Sequence, residues 1–153
     1  KMGDDERLYT QKLKTGQKKL EKALPAAKKT QKAILPQSQP AFKGYDVYGK
    51  IKPFHSVGGD YFDWMLHDNS TLGLSIADVS GKGLEAALIT HSIHAALDVS
   101  SRMNTTNNIS NIIKNLNNFL VEHTEPSIFA TLVYGELNSQ GYFKYCNAGH
   151  EPH

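Results

Sequence analysis

The hydrophobic pattern changes period along the chain. From Asp4 to Ile34 apolar residues are sparse, and Leu13, Leu20, Leu24 and Ala27 form a thin stripe at helical spacing. This predicts a helix over 4–34, kinked or restarted at Pro25, because proline lacks the N–H that the helical ladder needs. Its second piece carries Ala27, Ala33 and Ile34 and stops at Pro36. So thin a stripe buries too little to hold a helix alone, so it packs on the body or on a partner helix. Pro36, Gln37, Ser38, Gln39, Pro40 and Gly44 mark a turn-rich connection over 36–44. Beyond it the period drops to two. Tyr45, Val47, Gly49 and Ile51 alternate with polar residues and predict a half-buried strand. A second strand runs from Val57 to Met65, entered through Gly58 and Gly59. Leu72, Leu74 and Ile76 make a third, ending near Asp78 and Val79, with Asp68-Asn69-Ser70 as the hairpin turn.

An Ala/Leu/Ile-rich helix is predicted over about 84–102, broken by Asn104 to Asn108. The next helix is cleanly amphipathic: Ile109, Ile112, Ile113, Leu116, Phe119 and Leu120 fall on one face under an asparagine-rich outer face. After Pro126, Ile128 to Leu137 is apolar on both faces and reads as a central, fully buried strand. A turn over Asn138 to Gly141 leads into a last strand, Tyr142 to Cys146. Strands, then two helices, then strands indicate an α+β fold with antiparallel pairing. A strict βαβ alternation is absent, and Gly81-Lys82-Gly83 lacks the upstream glycine and following Ser/Thr of a Walker loop. The chain divides into a helical linker or dimerisation segment (1–35), a turn-rich connection (36–44) and one domain (45–153).

Charge sharpens that division. The 153 residues carry a net charge of +2, yet residues 1–35 hold ten Lys/Arg against four Asp/Glu, so the body is acidic. No aromatic residue beyond Tyr9 interleaves with those lysines, which disfavours nucleic acid and suits a solvated helix face. No apolar run approaches the roughly 18 residues of a membrane span, and Lys1 to Leu20 lacks the apolar stretch of a signal peptide. Cys146 is the single cysteine, which excludes an intrachain disulfide and a multi-cysteine zinc site and fits a reducing, cytoplasmic setting.

Two aspartates stand among apolar strand residues: Asp60 after two glycines, and Asp78 before a glycine-rich turn. A carboxylate in a strand is costly unless something pairs with it. Two readings are open. Each aspartate caps a turn, or the two hold a hard divalent cation such as Mg²⁺ or Mn²⁺, which prefers oxygen donors. The turn Val79 to Gly83 either cradles phosphate through backbone amides at a helix start, with Lys82 adding charge, or simply links strand to helix. Asp63 falls on the opposite face of the strand from Asp60. His91 and His94 lack a third ligand at a recognisable spacing and read as surface or core histidines. Cys146, His150 and His153 make a terminal Cys/His run without a fourth ligand.

In order, these motifs resemble a known family. Val57-Gly58-Gly59-Asp60-Tyr61-Phe62-Asp63, Ile76-Ala77-Asp78-Val79-Ser80-Gly81-Lys82-Gly83, Ile128-Phe129-Ala130-Thr131-Leu132 and Asn147-Ala148-Gly149-His150-Glu151-Pro152 resemble the SpoIIE/RsbU branch of the PPM-type metal-dependent Ser/Thr phosphatases. Ala27 to Pro36, with Gln31, is similar to the linker helix before such domains, so the resemblance covers about residues 20–153. It implies a four-layer α-β-β-α sandwich of two antiparallel sheets, and two Mn²⁺ or Mg²⁺ ions in a cleft at the sheet edges. By position it implies Asp60, Asp78 and the Val79 carbonyl as ligands, with Ser80, Gly81, Lys82 and Gly83 as a phosphate-proximal loop. Asp60 and Asp78 thereby become the catalytic pair. Ser80 stands where other branches carry an acid-competent histidine. The implied substrate is a phosphoserine on a STAS-domain anti-anti-sigma protein, downstream of a sensor domain that can sit at a membrane. The family pattern continues past Pro152 with further strands and acidic ligands, so an incomplete sandwich is expected. From that follows a homo-oligomer through the N-terminal helix or an exposed sheet edge, and a rival reading as a non-catalytic regulatory module of the same fold.

Overall fold

The computed structural model describes residues 2–52, 57–68, 70–103 and 108–151. The turn at Asn69, the helix break at Asn104 to Asn107, the side chain of Leu20 in the thin stripe, and His153 of the terminal Cys/His run lie outside the described residues. Helix α1 spans Met2–Ile34, strand β1 Asp60–Asp68, β2 Thr71–Val79, α2 Leu84–Met103, α3 Ile109–His123, β3 Ala130–Asn138 and β4 Phe143–Ala148. The strands form one antiparallel sheet in the order β1-β2-β3-β4, each hydrogen-bonded to its sequence neighbour. Helices α2 and α3 intervene between β2 and β3, whereas β3 and β4 are joined by a short turn: Asn138 Oδ1 accepts from the Gln140 and Tyr142 amides, and Gly141 takes a φ of 89°.

Period-two alternation sorts β1 cleanly. Tyr61, Asp63 and Met65 face inward and are buried, whereas Phe62, Trp64 and Leu66 face out. Helices α2 and α3 cover the inner face. On α2, Ala86, Ala87, Thr90, Ile93, Leu97 and Ser101 are buried at spacings of three and four, and α3 contributes Ile109, Ile112 and Leu116. Asn108 caps α3, its side chain accepting from the Ser110 amide at 3.1 Å. The core joins these residues to Tyr61, Leu132 and Tyr134, with Ile34 and Leu35 packed against it from the end of α1. The α+β class and the antiparallel sheet are as expected. The described residues supply one sheet and the helices on its inner face, the incomplete form of the four-layer sandwich.

Three expectations are corrected. Helix α1 runs through Pro25 without restarting. Residues 45–51 form no strand. Their burial does alternate, with Val47, Gly49 and Ile51 less exposed than Asp46, Tyr48 and Lys50. The segment lies over the outer face, where a Cβ on Gly49 would overlap the Phe62 ring. The alternation thus encodes one covered side, but no described strand offers a ladder partner. Finally, β3 is central yet not buried on both faces: Leu132 and Tyr134 are buried inward, while Val133 and Leu137 are only half-covered outward.

Candidate metal and phosphate site

The β1–β2 register brings the two aspartates together. Asp60 and Asp78 are directly opposed Cα partners, so their side chains leave the same, outer face of the sheet. Burial, and then the charge of Asp78, push the Asp60 carboxyl above its usual range. Two carboxylates held side by side repel one another until a cation or a proton intervenes.

Gly59 shapes the surroundings of the third candidate donor, the Val79 carbonyl. The Val79 amide donates to the Gly59 carbonyl at 3.2 Å. A Cβ at Gly59 would collide with the Val79 carbonyl oxygen, so glycine keeps a notch open beside that oxygen. Two carboxylates and a carbonyl are an all-oxygen donor set, which fits Mg²⁺ or Mn²⁺ and not zinc. Among the described residues, no third His, Cys, Asp or Glu completes a metal-binding group with them.

The loop after Val79 is held by Ser80. Its amide donates to the Phe129 carbonyl at 2.8 Å, and its hydroxyl accepts from the Phe129 amide at 2.9 Å. Ser80 therefore ties the loop to the start of β3. Gly81 and Gly83 have φ values of 90° and 74°, conformations that favour glycine, and they carry the chain into α2. Gly81, Lys82 and Gly83 line a cavity of about 400 Å³ with Asp60 and Asp78, bordered by Lys28 and Lys32 of α1.

Gln31 fixes α1 to this cavity. Its amide nitrogen donates to the Gly58 carbonyl at 2.6 Å and to Thr90 Oγ1 at 3.2 Å, while its oxygen accepts from the Gly58 amide at 3.2 Å. One side chain thus joins α1, the entry to β1 and α2. Behind the site, Asp63 is buried on the inner face, as the strand period requires. Its Oδ2 accepts from Tyr61 Oη and lies 3.0 Å from His94 Nδ1, and its Oδ1 accepts from the Trp64 amide at 2.8 Å. That contact with Asp63 raises the His94 imidazole, against burial, which lowers it. His91 Nδ1 instead meets its own helix at the Ala87 carbonyl.

A row of polar groups crosses the sheet at this end. Asp78 is the register partner of Thr131, whose hydroxyl lies 2.8 Å from His150 Nδ1. Thr131 was not among the candidate site residues, and His150 entered only through the terminal run with Cys146 and His153. The signal for them lay in the two later motifs, but only pairing across β2, β3 and the end of β4 brings those motifs beside Asp78. Cys146 sits at the edge of the core and is not joined to His150 in any described group of metal-ligating residues.

Comparison with known proteins agrees with the motif order. A family model described as Stage II sporulation protein E (SpoIIE) matches residues 68–153. Phosphoserine phosphatase RsbU of Bacillus subtilis (strain 168) is 32% identical over 137 residues, covering 89% of this chain and 40% of that protein. Protein IcfG of Synechocystis is 28% identical over 95% of this chain and 27% of its own length. The crystal structure of the RsbU and RsbW domains of Rv1364c from Mycobacterium tuberculosis superposes with a TM-score of 0.56 at 31% identity, over 66% of this chain and 28% of that one. The chain therefore spans 40% or less of these relatives.

Proposed function

Because the chain belongs to the SpoIIE family, in the SpoIIE/RsbU branch of the PPM phosphatases, we propose that it is the metal-binding part of a protein phosphoserine phosphatase. The observation that carries this reading is the direct opposition of Asp60 and Asp78, with the Val79 carbonyl oxygen close beside Gly59. Divalent cations, Mn²⁺ or Mg²⁺, when bound there supply charge to a phosphoryl group and acidify water. The chain's own residues do the rest. Asp60 and Asp78, fixed opposite one another on paired strands, would hold the ions. The Ser80–Phe129 bonds hold the Gly81–Gly83 loop at the mouth of the cavity, where Lys82 brings positive charge toward a phosphate. Lys28 and Lys32 extend that charge along α1.

The partner is a phosphorylated STAS-domain regulator in the cytoplasm, and α1 connects to a sensor domain or to a second copy. RsbU carries the name phosphoserine phosphatase, which supports the reaction class. Among the described residues, no helix is long and apolar enough to cross a membrane. The two-carboxylate donor set favours a second reading, a non-catalytic module of the same fold that binds the partner without turnover. One assay separates them: Mn²⁺-dependent hydrolysis of a phosphoserine peptide by this protein and its Asp78→Asn variant. The phosphatase reading expects the variant to lose most turnover while its circular dichroism melt is preserved. Near-normal Mn²⁺-dependent turnover in the variant overturns the assignment, and inactivity of the unsubstituted protein selects the non-catalytic module.

A further inference from the structure

The polar row does not stop at the two aspartates. Asp60, Asp78 and Thr131 are successive register partners on β1, β2 and β3. A parallel bridge between Leu132 and Gly149 then sets His150 against Thr131. Asn147 locks that turn from both sides, its Nδ2 donating to the His150 carbonyl and its Oδ1 accepting from the His150 amide, each at 2.8 Å. His150 therefore sits on a braced backbone, and it lines a cavity of about 560 Å³ that Asp60 and Asp78 also line.

The Thr131 hydroxyl engages His150 Nδ1 at 2.8 Å and lies 3.5 Å from the Asp78 carbonyl, at the limit of a hydrogen bond. It either donates to a bare Nδ1 or accepts from an Nδ1–H. With Nδ1 accepting, neutral imidazole carries its hydrogen on Nε2, which becomes a donor.

We propose that Thr131 and His150 form a phosphate-positioning pair, in which Thr131 sets the tautomer and the His150 Nε2–H donates to an oxygen of a phosphate held beside Asp60 and Asp78. The proposal rests on the phosphatase reading and assigns it a residue distant in sequence from both aspartates. The pair needs no proton transfer: it binds and orients. A donor here selects a tetrahedral oxyanion over the bare cation, because the candidate cation donors are Asp60, Asp78 and the Val79 carbonyl, and the pair is not among them.

The test uses the 153-residue chain, Mg²⁺ and inorganic phosphate, read by ¹⁵N nuclear magnetic resonance of histidine rings and backbone amides. The expected wild-type spectrum shows His150 as the Nε2–H tautomer. Phosphate added with Mg²⁺ moves that signal saturably, and phosphate without Mg²⁺ does not. Thr131→Val leaves the ring in place but mixes its tautomers. Both Thr131→Val and His150→Ala weaken phosphate binding about tenfold, the worth of a hydrogen bond to a charged group, with Mg²⁺ affinity at the Asp78 amide unchanged. Phosphate binding that perturbs the Gly81 amide without moving His150 overturns the inference and leaves the phosphatase reading standing, as does an Nδ1–H tautomer. Failure of Mg²⁺ to move Asp60 or Asp78 overturns both.

Discussion

Adjacent glycines at the mouth of the site make opposite predictions. An added Cβ at Gly58 meets nothing within 4 Å, whereas one at Gly59 meets the carbonyl oxygen, carbonyl carbon and amide nitrogen of Val79. All three are backbone atoms of β2, so no side chain can swing aside. Neither glycine has a positive φ, so alanine tests space alone. Overpacking of this kind costs about 1–3 kcal/mol. Parting the strands also strains the Val79–Gly59 hydrogen bond, worth about 1 kcal/mol. Gly59→Ala should therefore destabilise the fold by about 2–4 kcal/mol, and at an m-value of about 2 kcal/mol/M the urea midpoint drops by ~1–2 M. Gly58→Ala should stay within about 1 kcal/mol of wild type and can gain slightly through the unfolded chain. The same shift separates Asp60 from Asp78 and crowds the Val79 carbonyl, so Gly59→Ala should also weaken Mg²⁺ binding by calorimetry while Gly58→Ala leaves it intact. Equal urea midpoints for the two variants would refute the packing argument, and equal Mg²⁺ affinities would refute the role of the notch.

Gln31→Ala removes three hydrogen bonds between α1, Gly58 and Thr90, and should cost about 1–3 kcal/mol. Hydrogen exchange checks it, with the Gly58 amide losing protection more than amides of β3. His94 holds its proton above the ordinary imidazole range through Asp63, so its stabilising contribution is complete below that range and lost as pH rises through the folded value. His94→Gln should therefore cost more at about pH 5.5 than at about pH 9, by ~1 kcal/mol or less given the ring's partial exposure. Thermal melts across that window check the sign, and a cost that grows with pH contradicts it.

Local pattern was enough for much of this molecule. Helices α2 and α3, the β1–β2 hairpin and the inward face of β1 follow from periods of 3.6 and 2, whereas on β2 the apolar Leu74 and Ile76 share the outer face with Asp78, and Ser75, Ala77 and Val79 are the buried ones. The placing of Asp63 opposite Asp60 follows from the same parity. Four motifs in order were enough for the family, because glycines and aspartates at fixed spacing encode a turn and a donor set together. Other features depend on partners far along the chain. The alternation of Val47, Gly49 and Ile51 records one covered side but does not say whether a neighbouring strand exists to bond with. Pro25 leaves α1 continuous, and Gln31, one polar residue in a polar helix, anchors that helix through bonds to Gly58 and Thr90 that no spacing reveals. The approach of His150 to Thr131, and of Thr131 to Asp78, comes from sheet register across three strands. Register is set by the sum of pairings along each strand and by the turns between them, so it belongs to the folded sheet and to no single segment of sequence.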